Sequence, residues 1–147
     1  MPNFDNQLSA LADSTQSLCQ RATTCDFSGE GWAPAITLGH IVDVDTEVWM
    51  ARFELMVSAL RNSQSPPQLA WWEPDGEKTA EKYEGYALTQ SIELLNQSRS
   101  LLRNYLNALT IDERQAPAIH KSFGTITIES MLAVILTHDE EHRATLS

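Results

Sequence analysis

The chain has 147 residues, 42% of them hydrophobic and 20% charged, enough for one domain with a sizeable core. Acidic residues outnumber basic ones by 20 to 10, and the net charge of -10 argues against general binding to nucleic-acid phosphates or anionic membranes. No basic segment leads into an apolar run at the N-terminus, and no apolar stretch nears the roughly 20 residues that span a bilayer, so a cytoplasmic protein is expected.

Four segments carry helical periodicity. The first runs from about Asn6 to Ala22, with Leu8, Leu11, Thr15 and Leu18 on one face. Gly29 and Gly31 lie in the next connector, and Pro34 suits the first turn of a second helix from about Ala35 to Arg61. Leu38, Ile41, Val42, Val48, Trp49, Phe53, Leu55, Met56 and Leu60 give this helix a broad apolar face. Asn62 to Thr79 holds Pro66, Pro67 and Pro74 and cannot continue it. Within that stretch Trp71 and Trp72 read as a cap on one end of the core or as a pocket wall. The third helix is expected from about Ala80 to Leu109, its inward stripe including Tyr83, Gln90, Leu94, Ser98, Leu101, Leu102 and Tyr105. After an irregular stretch with Pro117 and Gly124, Thr127 is a plausible N-cap for the fourth helix. No strand pattern convinces, and Thr125 to Ile128 alternates only weakly. The expected fold is all-α, a four-helix bundle spanning 1–147 as one domain. Cys19 and Cys25, six residues apart, match no common zinc-site spacing and read as reduced, partly buried thiols.

His138 and His142 stand four residues apart near the end of the fourth helix, so both rings leave one face about a turn apart. His40, one turn into the second helix, shares a face with Ile36 and Val44 and supplies a third ligand for a divalent metal. His120 falls in the last connector and reads as a surface or helix-end residue. The three ligands make a geometric demand. His40 lies roughly 6 Å from the start of its helix, whereas His138 and His142 lie roughly 17–22 Å into theirs. Parallel, level helices would leave them roughly 10 Å apart or more. The second and fourth helices must therefore be antiparallel, and one of the later connectors must cross the bundle lengthwise. Residues 62–79 extend to around 60 Å, more than the roughly 38 Å needed. The last connector is almost as long, which leaves up-down-down-up and up-down-up-up both open.

The stretches from Trp32 to Asp43 and from Phe123 to Glu129, together with His138-Asp139-Glu140-Glu141-His142, resemble the DinB-like superfamily of small metal-binding bundles. The resemblance covers nearly the whole chain. It implies one divalent metal on His40, His138 and His142, and the up-down-down-up order with its long crossover between helices two and three. It also implies a homodimer and relatives that include thiol-dependent transferases, a thiol-dependent isomerase and hydrolases. The chain departs from the family in having Ala33 at the N-cap of the second helix, where a capping side chain is expected.

Three imidazoles leave at least one coordination position open, which points to a catalytic site taking a small-molecule substrate; the resemblance implies a low-molecular-weight thiol as a further cofactor. Imidazole suits zinc, nickel, iron or copper, so the ligand set does not name the metal; zinc or nickel is expected first, then iron or manganese. Asp43, Glu47, Asp139 and Glu141 are near enough in sequence to serve as hydrogen-bond acceptors for the ligands or as a general base. A zinc-protease motif would need glutamate directly after the first histidine, where this chain has Asp139. The rival reading is a non-catalytic, stress-associated bundle that only holds an ion or small ligand, and it predicts a closed coordination shell or no pocket.

Overall fold

A computed structural model describes residues 3–146. The first rod is α1 (Phe4–Thr24), capped by the Asn3 side chain, and it buries Leu8, Leu11, Thr15 and Leu18 as its periodicity predicts. The second rod has three parts in one continuous run: α2 (Pro34–Val44), a π-helical turn (Asp45–Met50) and α3 (Ala51–Arg61). Pro34 opens it, and Ala33 offers no side-chain cap. α3 buries Phe53, Met56, Val57 and Ala59, whereas Leu55 and Leu60, expected inside, are exposed.

The crossover after this rod carries β1 (Gln68–Leu69) and α4 (Gly76–Tyr83), the latter capped by Asp75. The third rod is therefore shorter than expected: the chain breaks at Glu84 to Ala87, and α5 spans Leu88–Asn107. Gly39 explains how α4 lies so close against α2, because a Cβ there would come within 2.5 Å of the Tyr83 ring. Tyr83 and Lys82 both donate to Asp43 Oδ1, at 2.6 and 2.8 Å, fastening the crossover to the second rod. The buried stripe of α5 is Ser91, Leu95, Arg99, Leu102 and Leu106, about one position on from the expected one; Leu101 and Gln90 face out.

A short α6 (Ile111–Arg114) precedes β2 (Pro117–His120) and β3 (Gly124–Thr127), and the last rod is α7 (Ile128–Thr145), capped by Thr127 as expected. The expectation of no strands is overturned: β2 pairs antiparallel with β3 and parallel with β1. Strands of two to four residues leave too little alternation to detect, and pairing between distant connectors supplies their order.

Contacts between rods establish the topology. Ser14 bonds Asp139, Ser17 bonds Arg143 and Arg21 bonds the Leu146 carbonyl, so α1 and α7 run parallel. Ser91 bonds the Ala35 carbonyl and Arg99 bonds Asp45, so the second rod and α5 are parallel as well. His40 meets His142 while Trp49, further along, meets His138, so the second rod and α7 are antiparallel. The order is up-down-down-up, with the long crossover between the second and third rods.

One buried arginine joins all four rods. Arg99, 2% exposed, donates from Nε to Asp45 Oδ2 at 2.8 Å and from Nη1 and Nη2 to both oxygens of Asp139 at 2.7 and 2.6 Å. Ser98 also donates to Asp45 and Ser14 to Asp139, each at 2.8 Å, and Thr15 receives Arg99 at 3.3 Å. Burial opposes the charge of Arg99, but the hydrogen bonds and charges of Asp139 and Asp45 outweigh it and raise its pKa above the ordinary value. Along the rods this layer falls between a larger apolar cluster that includes Leu11, Leu102 and Ile135 and a smaller one that includes Leu18, Ile41 and Leu95.

Candidate metal centre

Each histidine is placed by an ordinary feature of its helix. His40 comes directly after Gly39 on the buried side of α2 and is 4% exposed, its ring 5.1 Å from that of Trp32 and 6.3 Å from that of Trp72. His138 and His142 are half-buried neighbours one turn apart on α7. Because the rods are antiparallel, the three rings meet: ring centroids lie 5.6 Å apart for His40 and His138, 4.7 Å for His40 and His142, and 4.5 Å for His138 and His142. One nitrogen from each can be chosen so that all lie within 4.8 Å of one another.

The donors suit a divalent ion. Nε2 of His142 and Nε2 of His138 are 3.1 Å apart. Two nitrogens bound to one tetrahedral zinc would be separated by about 3.3 Å, from zinc–nitrogen bonds of about 2.0–2.1 Å. Metal binding also requires neutral imidazoles. Burial, then the nearby charges of His142 and His138, lowers His40 to about 4 against the opposing pull of Asp43. Burial and His138 lower His142 to about 4 as well, opposed by Asp139 and Glu141. His138 is lowered chiefly by burial. Nδ1 of His40 and Nδ1 of His138 are buried without hydrogen-bond partners among the described residues.

The four carboxylates named beside these histidines go to different places. Asp43 is held by Tyr83 and Lys82, Asp139 belongs to the Arg99 layer, and Glu47 is exposed. Glu141 alone of the four lines the cavity next to the histidines.

That cavity has a volume of about 750 Å³ and opens over the three rings. All four tryptophans of the chain, Trp32, Trp49, Trp71 and Trp72, line it. Trp71 and Trp72 are thus a pocket wall, and Trp72 also packs on the larger apolar cluster. Trp71 and Phe123 stand exposed at the rim with ring centroids 5.4 Å apart. His120 corrects its expected surface role: it is 3% exposed, packed near Trp71 and Phe123, and it too lines the cavity. Arg52 and His120 were missed as cavity residues, and their positions in the sequence carry no spacing that marks them.

The family model of the DinB superfamily matches residues 3–146. Among curated proteins none matches the sequence. Among solved structures the fold is similar to that of YfiT from Bacillus subtilis, described as "a probable metal-dependent hydrolase with an unusual four-helix bundle topology". That likeness has a TM-score of 0.72 at 19% identity and covers 97% of this chain and 82% of the other. The family match extends over all the described residues: the chain belongs to the DinB superfamily.

Proposed function

We propose that this protein is a metal-dependent enzyme of the thiol-dependent transferase or hydrolase type, with His40, His138 and His142 as ligands of one divalent ion. The observation that carries this reading is the convergence of three imidazoles at the wall of a cavity large enough for a small-molecule substrate. When bound, an ion on three imidazoles supplies a Lewis-acid centre with an exchangeable position, where a water or thiol is made more acidic. Zinc or nickel fits the ligand set first. Glu141, beside His142 and facing the same cavity, is the carboxylate placed to take up the proton released there. The tryptophan walls exclude water from the apolar part of a substrate and hold it against the histidines. A purely ion-holding protein has no need of such a cavity, so its presence argues against that form of the rival; a bundle that only binds a small ligand is separated from the enzyme by turnover.

Elemental analysis of the purified protein tests the first half of this reading, with one metal per chain expected. A panel of electrophiles and activated esters, offered with and without bacterial low-molecular-weight thiols, tests the second. Turnover that disappears with chelator and returns with metal is expected; a full metal complement with no turnover across the panel would favour the ion-holding alternative.

A further inference from the structure

The cavity is lined by two sets of polar side chains: Glu141 with the three histidines, and Arg52 with His120. Arg52 lies twelve residues beyond His40 on the same rod, about 18 Å along its axis at the usual rise, with its side chain tilted back toward the histidines. Arg61, Arg99 and Arg143 pair with carboxylates, whereas Arg52 has no carboxylate partner among the described residues. Its Nη2 donates to the Ala70 carbonyl at 2.6 Å and its guanidinium sits 6.0 Å from the Trp49 ring; no described residue hydrogen-bonds its Nε or Nη1.

His120 sits beside the same stretch of crossover, paired with Leu69 in the sheet and with its ring 5.4 Å from that of Trp71. The backbone N–H groups of Ser122 and Phe123 both point at its Nδ1, at 3.0 and 3.4 Å. Nδ1 is therefore the acceptor, and the network assigns the ring proton to Nε2, which has no partner among the described residues. A cation with spare N–H groups and a neutral ring with a spare donor thus share an apolar, tryptophan-lined space in a protein of net charge -10.

We propose that this part of the cavity receives a carboxylate, so that the substrate is an apolar, ring-containing acid whose charged group is bound by Arg52 and His120 while its reactive part faces the histidines. This rests on the reading of the cavity as the substrate site of a metal-dependent enzyme, and names the substrate class. Planar carboxylate geometry matches the guanidinium fork, and a hydrogen bond to a charged group away from bulk water is among the stronger ones. Burial lowers the pKa of Arg52, and burial together with the Arg52 charge lowers that of His120; a bound anion offsets both effects. The tryptophans and Phe123 give the apolar body broad flat faces to stack on.

Isothermal titration calorimetry with 2-naphthoate and its neutral isostere 2-naphthamide tests this, on protein as purified and on chelator-treated protein. The second sample removes direct metal–carboxylate binding from the comparison. In both samples the acid should bind about tenfold tighter than the amide or more. Arg52→Gln should abolish that preference and leave amide affinity unchanged, Arg52→Lys should retain part of it, and His120→Phe should weaken the acid alone. Equal binding of the two probes, binding of neither, or a preference that survives in Arg52→Gln would overturn the proposal. An equal loss of both probes in Arg52→Gln would overturn it too, since Arg52 would then be only a strut for the Ala70 segment. A preference seen in chelator-treated protein, with no metal found by elemental analysis, would support the anion site while removing the metal-dependent reading.

Discussion

His138 and Asp139 are adjacent on α7 and belong to two opposite kinds of polar cluster. The Asp139 cluster is bonded within itself: two carboxylates, a guanidinium and three hydroxyls bond one another across four rods, with Asp45 Oδ1 left without a partner among the described residues. The His138 cluster is open: its rings converge without bonding partners for the buried Nδ1 atoms of His40 and His138, beside a cavity. Both lie in low-dielectric surroundings, where unsatisfied polar groups are costly. The first arrangement makes sense as fold specificity, since Arg99 is neutralised only when the second and last rods bring Asp45 and Asp139 to it. The second gathers three rings at a cavity with no charged partner of this kind. One cluster meets its charges from within, and the other faces the space where a ligand would sit.

The contrast between the two clusters breaks most readily at Arg99. Arg99→Met strands Asp45 and Asp139 in the core and should cost about 3–5 kcal/mol, read as a large fall in the urea midpoint. A variant as stable as the parent would show that the layer does not hold the rods together. His138→Ala should do the reverse. Metal per chain should fall to a small fraction of the parent value while the far-ultraviolet circular dichroism stays helical, because the residue is half-buried and its ring makes no hydrogen bond to another rod. Full stoichiometry in that variant would remove His138 from the ligand set.

Acid sharpens the contrast. His40 and His142 are held near 4, below the ordinary histidine value of about 6.5. The unfolded chain therefore takes up protons first as pH falls. The stability these neutral rings contribute to metal-free protein is complete above about pH 6.5 and is lost as pH falls from there toward 4. Free imidazole chemistry alone would have metal binding weaken below about pH 6; the lowered values move that decline nearer to pH 4–5. Denaturation and metal titrations at pH 7, 5.5 and 4.5 check both, and metal loss already half complete at pH 6 would contradict the burial of the rings. The smallest effect belongs to Ser14→Ala, which removes one hydroxyl from Asp139 and should cost about 1 kcal/mol with no change in metal affinity.

The bundle and its histidines were legible because they rest on periodicity: one turn separates His138 from His142, and the need for His40 to reach them demanded antiparallel rods. The features that stayed hidden have physical reasons. Arg99 lies inside, and a charge at that position reads as surface until its two aspartates are found on other rods. Its burial also displaced the expected stripe of α5. The three-stranded sheet is built from connectors whose strands are too short to show a pattern. The cavity wall is hidden for the same reason, since Trp71, Trp72, His120 and Phe123 come together only when the crossover folds back along the bundle. Glu141 was separable from Asp43, Glu47 and Asp139 only once their partners were seen.

The π-helical turn at Asp45–Met50 has a consequence for how this protein can change over evolutionary time. Each residue in an α-helix advances the rod by about 100°. A π-helix advances by only about 82° per residue, so six residues wound that way cover nearly the rotation of five α-helical ones. Removing one residue from the widened turn, such as the exposed Thr46 or Glu47, would therefore restore regular winding and leave everything beyond it close to its present phase. Arg52 would keep its place on the cavity wall, and His40, upstream, its place beside the other histidines. The turn is a joint at which the second rod can lose a residue while both groups that line the cavity stay in register.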